Sequence, residues 1–328
     1  MDNEEGTSES SVSRRRFLNL LGVAGVTFPL LGQPVAQAAS PGKDVSRRTL
    51  NLFSKRLGWM EYEEFASTTK KIGFDGVDLT VRSGGHVEPD RVAEDLPRAV
   101  RAIRDEGLKI PMMVTDIADA DDPLTEKVLR VASDLGIRYY RMDSIKYDDS
   151  LGVADTLQSM QPQFRKLAEL NRKYNIHGAY QNHAGTRVGA PTWDIWLLIR
   201  DLDPRYMGCQ YDIRHATAEG GNSWPLALDL IHPHVKTLVI KDFRWVKEQD
   251  GIWDDEHFPV GTGMVDFDKY FKLVKKYNLP GPITIHYEHD LTESDPDQLS
   301  HSERKQQTVR SMRRDLDWVR GKMEEHGL

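Results

Sequence analysis

Leu238-Val239-Ile240-Lys241-Asp242 is an apolar run that breaks into charge at its C-terminal end, and three other segments of the chain do the same. They are Ala179-Tyr180-Gln181-Asn182-His183, Gln210-Tyr211-Asp212-Ile213-Arg214-His215 and Ile283-Thr284-Ile285-His286-Tyr287-Glu288. One acidic residue at the end of a strand means little. Four neighbouring strands that bring carboxylates, imidazoles, an amide and an amine to one end describe a cup for a polar ligand. A (β/α)8 barrel places its chemistry at that end, on the C-terminal rim of its parallel strands.

Outward from these segments, the chain alternates short β-type runs with amphipathic stretches from Leu50 onward, the pattern of βα units. Strands are predicted at residues 50–54, 76–81, 110–115, 137–143, 178–183, 207–212, 235–241 and 283–288. Helices are predicted at 61–71, 91–106, 123–135, 153–174, 192–202, 224–231 and 266–277, with a closing helix at 301–323. In the second of these, Val92, Leu96, Val100 and Ile103 recur at three- to four-residue steps and mark one buried face. Turn signals such as Gly73-Phe74-Asp75-Gly76 and Leu279-Pro280-Gly281 fall where strands should begin. A doubly wound open sheet would carry a glycine-rich turn after its first strand. Here the first strand runs into Lys55-Arg56-Leu57 instead. The expectation is an α/β chain with a single-domain (β/α)8 TIM barrel over residues 49–328. The segment 244–265 reads as a long structured loop at the rim, of the kind that covers a substrate.

Residues 1–38 read as an export signal. Ser13-Arg14-Arg15-Arg16-Phe17-Leu18 opens an apolar run to Leu31, and Ala36-Gln37-Ala38 offers a cleavage site. The basic string resembles the twin-arginine signal, which sends folded proteins to the periplasm or beyond. The apolar run is shorter than the roughly 20 residues a spanning helix needs, so no stable membrane insertion is expected after cleavage. Residues 39–48 read as a linker. A formal net charge of -7, with no long basic run after the N-terminus, argues against a nucleic-acid partner. The single cysteine, Cys209, excludes an intramolecular disulfide and a thiolate metal site. A homo-oligomer is left open.

Side chains alternate along a strand, so parity separates barrel interior from helix-facing exterior. Val77, Leu79 and Val81 face the helices, which turns Asp78, Thr80 and Arg82 inward. Gln181 pairs in direction with His183, Gln210 with Asp212, Val239 with Lys241, and His286 with Glu288; His215 lies just past strand six. Asp212 and Glu288 are the leading candidates to hold a divalent ion (Mn, Mg, Co or Zn), with Gln181, His183 or His215 completing the shell. The alternative is an ion network with Arg214, Lys241 or Arg82. Lys241 could donate to an enolate oxygen or act as a base, or be a salt bridge to Asp242 or Glu288. Lys241, Glu288 and His286 are the catalytic candidates. Arg82, Asp78, His183, His215 and His86, the last in a rim loop, are the candidate substrate contacts. His177, His232 and His234 belong to the far end. Trp224, Trp245 and Trp253 are placed in rim loops, where packing is expected for most tryptophans.

From about residue 50 to 291 the chain resembles the xylose isomerase-like TIM-barrel superfamily. The resemblance rests on Gly73-Phe74-Asp75-Gly76-Val77-Asp78-Leu79, on Asp212-Ile213-Arg214-His215, on Ile240-Lys241-Asp242, and on Pro259-Val260-Gly261-Thr262-Gly263-Met264-Val265-Asp266-Phe267. It implies a metal held by a Glu on strand five, an Asp on strand six, a His on strand seven and a Glu on strand eight. Asp212 and Glu288 match; Gln181 and Val239 depart. Tyr180-Gln181-Asn182-His183-Ala184-Gly185-Thr186 is similar to the Y-H-P-H-x-G-T segment of inosose dehydratases. The implied activity is abstraction of a proton alpha to a sugar carbonyl by a metal-dependent sugar isomerase or epimerase. The alternatives are a β-elimination lyase or dehydratase acting on a keto-sugar or keto-glycoside, and a barrel that only binds carbohydrate. Export makes a neutral small-molecule carbohydrate the expected substrate. The endonuclease branch of the superfamily is excluded by charge.

Overall fold

The computed structural model describes residues 48–328; the expected signal and nearly all of the linker lie outside them. In chain order the elements are β1 (Leu50–Phe53), α1 (Tyr62–Ile72), β2 (Gly76–Val81), α2 (Val92–Asp105), β3 (Lys109–Thr115), α3 (Pro123–Asp134), β4 (Tyr139–Arg141), α4 (Gly152–Tyr174), β5 (His177–Gln181) and α5 (Thr192–Ile199). Then follow β6 (Met207–Asp212), α6 (Ile213–Gly220), α7 (Trp224–Ile231), β7 (Val235–Ile240), β8 (Asp242–Lys247), β9 (Trp253–Phe258), α8 (Phe267–Lys276), β10 (Ile283–Ile285) and α9 (His301–Glu325). Eight strands close in the order β1-β10-β7-β6-β5-β4-β3-β2, all neighbours parallel, into a TIM barrel. Among the described residues no helix is long and apolar enough to cross a membrane.

Local chemistry explains the boundaries. Asp122 caps α3 by accepting the Leu124 N–H at 2.7 Å, Asp266 caps α8 through Lys269, and Ser300 with Glu303 forms a capping box at α9. Gly73, at φ 112°, stops α1 in a left-handed turn that a side chain would strain. Val77, Leu79 and Val81 are at most 1% exposed and form the barrel-to-helix core with the apolar stripes of the helices.

Three features differ from the sequence reading. Strands four, five and eight end sooner than expected, at Arg141, Gln181 and Ile285. Direction persists: the His286 N–H still donates to Ile240 O at 3.0 Å. The residues after strand six wind at once into α6, with Asp212 as its N-cap. The expected long rim loop holds an antiparallel hairpin, β8 paired with β9. Its base is fixed by Asp242, whose carboxylate accepts backbone N–H groups of Phe243, Gly261, Gly263 and Val265 at 2.8–3.2 Å. A Cβ at Gly263 would stand 2.1 Å from that carboxylate, so only glycine closes this turn. Asp242 is therefore committed to the backbone and is not the partner of Lys241.

α9 sets the aim of the last strand. Tyr287 donates its O–H to Met312 O at 2.8 Å, and His289 lies 3.5 Å from Asp315. With Tyr287 and His289 tied outward to α9, alternation turns His286 and Glu288 into the rim.

Candidate active site

A cavity of about 260 Å³ opens at the C-terminal rim. That is just under the roughly 300–1,000 Å³ typical of sites for larger ligands, and it suits one sugar ring. Gln181, His183, Lys241, His286, Glu288 and Arg82 line it, six of the ten residues expected at the site.

Asp212 is the hub, with no exposed surface. Its Oδ1 accepts the His215 N–H at 3.2 Å, and its Oδ2 accepts Gln181 Nε2–H at 2.8 Å and Lys241 Nζ–H at 3.1 Å. The Gln181 Oε1 accepts an Arg141 N–H at 3.0 Å. Both ends of that amide are thus assigned by their neighbours, since a flip would set oxygen against carboxylate and N–H against guanidinium.

The same counting fixes His215. Arg214 Nη1 is 2.9 Å from His215 Nδ1 and can only donate, so Nδ1 accepts. A neutral imidazole then carries its proton on Nε2, which lies 2.7 Å from Lys241 Nζ. That N–H needs a lone pair; Asp212 Oδ2, at 3.7 Å, is too far to accept it, so an uncharged lysine amine supplies one. The electrostatics agree: burial lowers the Lys241 pKa, against the opposing pull of Asp212 and Glu288. Burial holds His215 far below the usual imidazole range. Arg214 is only 2% exposed; it is braced by an ion pair to Asp255 on β9 and lies 4.8 Å over the Phe243 ring. A continuous chain therefore runs Asp255, Arg214, His215, Lys241, Asp212, Gln181, Arg141.

Across the cavity Glu288 pairs with Lys55 at 3.0 Å. Burial pushes its carboxyl up, but the surrounding cations, with Lys55 in direct contact, outweigh this and leave it below the ordinary glutamate range. His286 stacks on Phe53, ring centroids 4.2 Å apart, and burial holds it neutral. The exposed His183 ring lies 3.8 Å from that of His215, and its Nδ1 sits 2.9 Å from Ala184 O.

Four expected contacts stand elsewhere. Asp212 and His215 are one layer behind the cavity wall, reaching it through Lys241. Asp78 lies in the barrel interior in register with Met112, 0% exposed, and burial pushes its carboxyl up to about 7. His86 is turned away: its Nδ1 lies 3.0 Å from Thr80 Oγ1, its ring packs on Phe65, and its carbonyl accepts the Tyr62 O–H. The cause is Val87, which bridges back to Val81 and pulls the loop against the barrel wall. Trp224 is buried in α7, while Trp245 and Trp253 are exposed on the hairpin. His177, His232 and His234 lie at the N-terminal end of the barrel, as expected. Missing from the sequence reading are Phe53, Lys55, Arg141, Asp143, Ser144 and Arg187, all in the cavity wall. Arg141 was within reach of the parity rule, since Tyr140 beside it is a fully buried outward residue.

The donor set does not fit the divalent ion that the resemblance implies. Gln181 offers Asp212 an N–H rather than an oxygen, Val239 has no donor atom, Lys241 shares Oδ2 with Gln181, and the His215 backbone N–H takes Oδ1. Among the described residues no three His, Cys, Asp or Glu side chains form a metal-binding group.

Comparison with known proteins bears on the fold. An uncharacterized protein of Methanocaldococcus jannaschii is 22% identical over 141 residues, 40% of this chain and 44% of that protein, so the match spans under half of the relative's length. A D-tagatose 3-epimerase-like protein superposes with TM-score 0.63 at 14% identity, over 85% of this chain and 98% of its own. The probable 3-DHS dehydratase of Bacillus anthracis gives TM-score 0.57 at 12% identity, covering 80% and 97%. A magnesium complex of a xylose isomerase-like TIM barrel protein from Mycobacterium smegmatis gives 0.59 at 14%, covering 85% and 98%. Residues 67–320 match the xylose isomerase-like TIM barrel family, and the chain belongs to that family.

Proposed function

We propose that this protein is an enzyme that takes a proton from the carbon beside a sugar carbonyl, with isomerisation or epimerisation as the outcome. One observation carries the reading: an ionised carboxylate, Glu288, and an uncharged amine, Lys241, face the same sugar-sized cavity. Glu288 is the group that takes the carbon-bound proton. The Lys241 lone pair is held by His215 and one of its N–H bonds by Asp212, which leaves an N–H for the carbonyl oxygen that becomes an enolate. Preorganised donors of this kind supply much of an enzyme's rate, because they need no reorientation as charge develops. The cation that family members hold at this place is replaced here, in our reading, by fixed side-chain charge, with Arg141 nearest the Asp212 cluster.

A second outcome has an observation of its own. On strand five the side chain is the amide Gln181, which neither takes nor returns a proton, while the exposed His183 stands beside it at the cavity. One carboxylate base and one imidazole suit loss of a β-substituent from a keto-sugar or keto-glycoside. Incubation with candidate keto-sugars in D2O tests both outcomes. Deuterium at the alpha carbon of recovered substrate or product supports the reading. Its absence with every bound sugar leaves a barrel that only captures carbohydrate.

We also propose that the protein is exported. The support is the Arg14-Arg15-Arg16 string, the apolar run and the Ala36-Gln37-Ala38 site. N-terminal sequencing of secreted material should begin near Ala39, and an intact Met1 there would contradict cleavage.

A further inference from the structure

Three guanidinium groups stand at the cavity without a salt bridge. Arg82, Arg141 and Arg187 line it, and among the described residues none lies within 4.0 Å of a carboxylate, although surface arginines such as Arg91 and Arg205 are paired. The Cζ atoms of Arg82 and Arg141 lie 5.9 and 5.8 Å from the centroid of the same ring, Phe53. The ring faces attract both cations weakly but remove no charge. The Arg141 fork donates to the neutral Gln181 oxygen, and Arg187 donates to the Ser144 hydroxyl. Of the two carboxylates in the wall, Glu288 is paired with Lys55; Asp143 accepts the Ser144 N–H. The cavity is thus cationic in a chain whose net charge is -7. Burial, and then repulsion by Arg82, lower the Arg141 pKa to about 10 against the weaker pull of Asp78, Asp143 and Glu288. Like charges gathered in a partly desolvated wall oppose one another unless an anion joins them.

We propose that the sugar this cavity takes is an anion, whose carboxylate or phosphate is gripped by Arg141 and Arg82 beside Phe53, with Arg187 reaching it from the loop after β5. Planar guanidinium forks match both oxyanions bidentately, which a neutral sugar hydroxyl cannot exploit. An anionic sugar departs from the neutral substrate expected from export and deepens the proton-transfer reading, on which its catalytic part rests. An oxyanion on the Arg141 side would orient the ring so that the opposite edge meets Glu288.

The test is titration calorimetry of the purified protein at low salt with D-glucuronate, D-galacturonate, D-gluconate and D-glucose 6-phosphate, each against its neutral parent sugar. At least one anion should bind about tenfold or more tighter than its parent, and added salt should weaken it. Arg141→Met should lose about tenfold or more of that affinity. Arg187→Ala, at an exposed position that leaves the fold intact, should lose affinity for the anion and none for the neutral sugar. A preference for the 6-phosphate over the sugar acids identifies phosphate as the oxyanion, and the reverse identifies carboxylate. The proposal is overturned if no anion outbinds its parent, or if both variants bind as the wild type does. Solvent deuterium exchange on the same sugars separates the two readings: neutral sugars that exchange while anions do not bind sink the anion alone, and anions that bind without any exchange sink the proton transfer alone.

Discussion

Nζ of Lys241 lies 2.7 Å from Nε2 of His215, and that single contact determines the charge of the lysine. Because Arg214 occupies the other ring nitrogen as a donor, His215 must donate to Lys241. Lys241→Met is expected to lower turnover by about 10²-fold or more with the fold intact, the usual scale for losing a proton-handling group. Circular dichroism beside the rate assay checks it; unchanged turnover excludes Lys241 from the chemistry.

The same contact gives a pH prediction. The depressed Lys241 pKa means activity rises with pH as the amine loses its proton. His215→Ala admits water and removes the donor, so the Lys241 pKa should move back toward its ordinary value. The acid limb of the pH–rate profile should then shift to higher pH. An unmoved limb in that variant would show that His215 does not govern Lys241.

Metal dependence follows from the Gln181 amide. With its N–H on Asp212 and its oxygen on Arg141, exhaustive chelation should leave both turnover and thermal midpoint unchanged. Activity that disappears on chelation and returns with Mn²⁺ or Mg²⁺ would mean that Gln181 and Lys241 rearrange to admit an ion.

The eight strands were legible because each parallel barrel strand is a short apolar run between turn signals, and parity along it needs no tertiary knowledge. The same parity placed Gln181, Lys241, His286 and Glu288 at one rim. What parity cannot supply is depth. Asp78 and Glu288 both point inward, yet one lies in the barrel interior and the other at the mouth, a difference set by strand stagger rather than by sequence. Nor can it show that Arg214 and Asp255, 41 residues apart, meet through a hairpin whose strands carry few apolar residues. The arginine cluster was hidden for a related reason: Arg82, Arg141 and Arg187 come from three separate rim segments, and only barrel closure brings them together.

Asp78 allows a stability prediction with a definite sign. Burial raises its folded pKa to about 7 from an ordinary 3.8, and neither oxygen has a hydrogen-bond partner among the described residues. A raised carboxyl binds more protons folded than unfolded between those values, so wild-type stability falls as pH rises through that window. Asp78→Asn removes this loss. The variant should gain about 2–4 kcal/mol relative to wild type at pH 8, and little at pH 4. Urea unfolding at both values checks this; a gain independent of pH would mean that Asp78 stays neutral or finds a partner.

Asp255 tests whether the hairpin belongs to the site. It is the ion-pair partner of the fully buried Arg214, on a β9 side chain that is 29% exposed. Asp255→Asn keeps the shape and removes the charge, leaving Arg214 buried without its counter-ion. Complete loss of a buried partner costs about 3–5 kcal/mol, and partial exposure here reduces that to about 1–2 kcal/mol. Arg214 would keep His215, the residue-255 carbonyl and the Phe243 ring but no counter-ion, so the His215–Lys241 contact should loosen and the acid limb of the rate profile should shift upward, as in His215→Ala but by less. Arg214→Met, which removes the cation together with its demand for a partner, should unfold at a denaturant concentration nearer to wild type than Asp255→Asn does. If Asp255→Asn lowers stability yet leaves the pH–rate profile where it was, the hairpin braces the barrel without tuning the lysine.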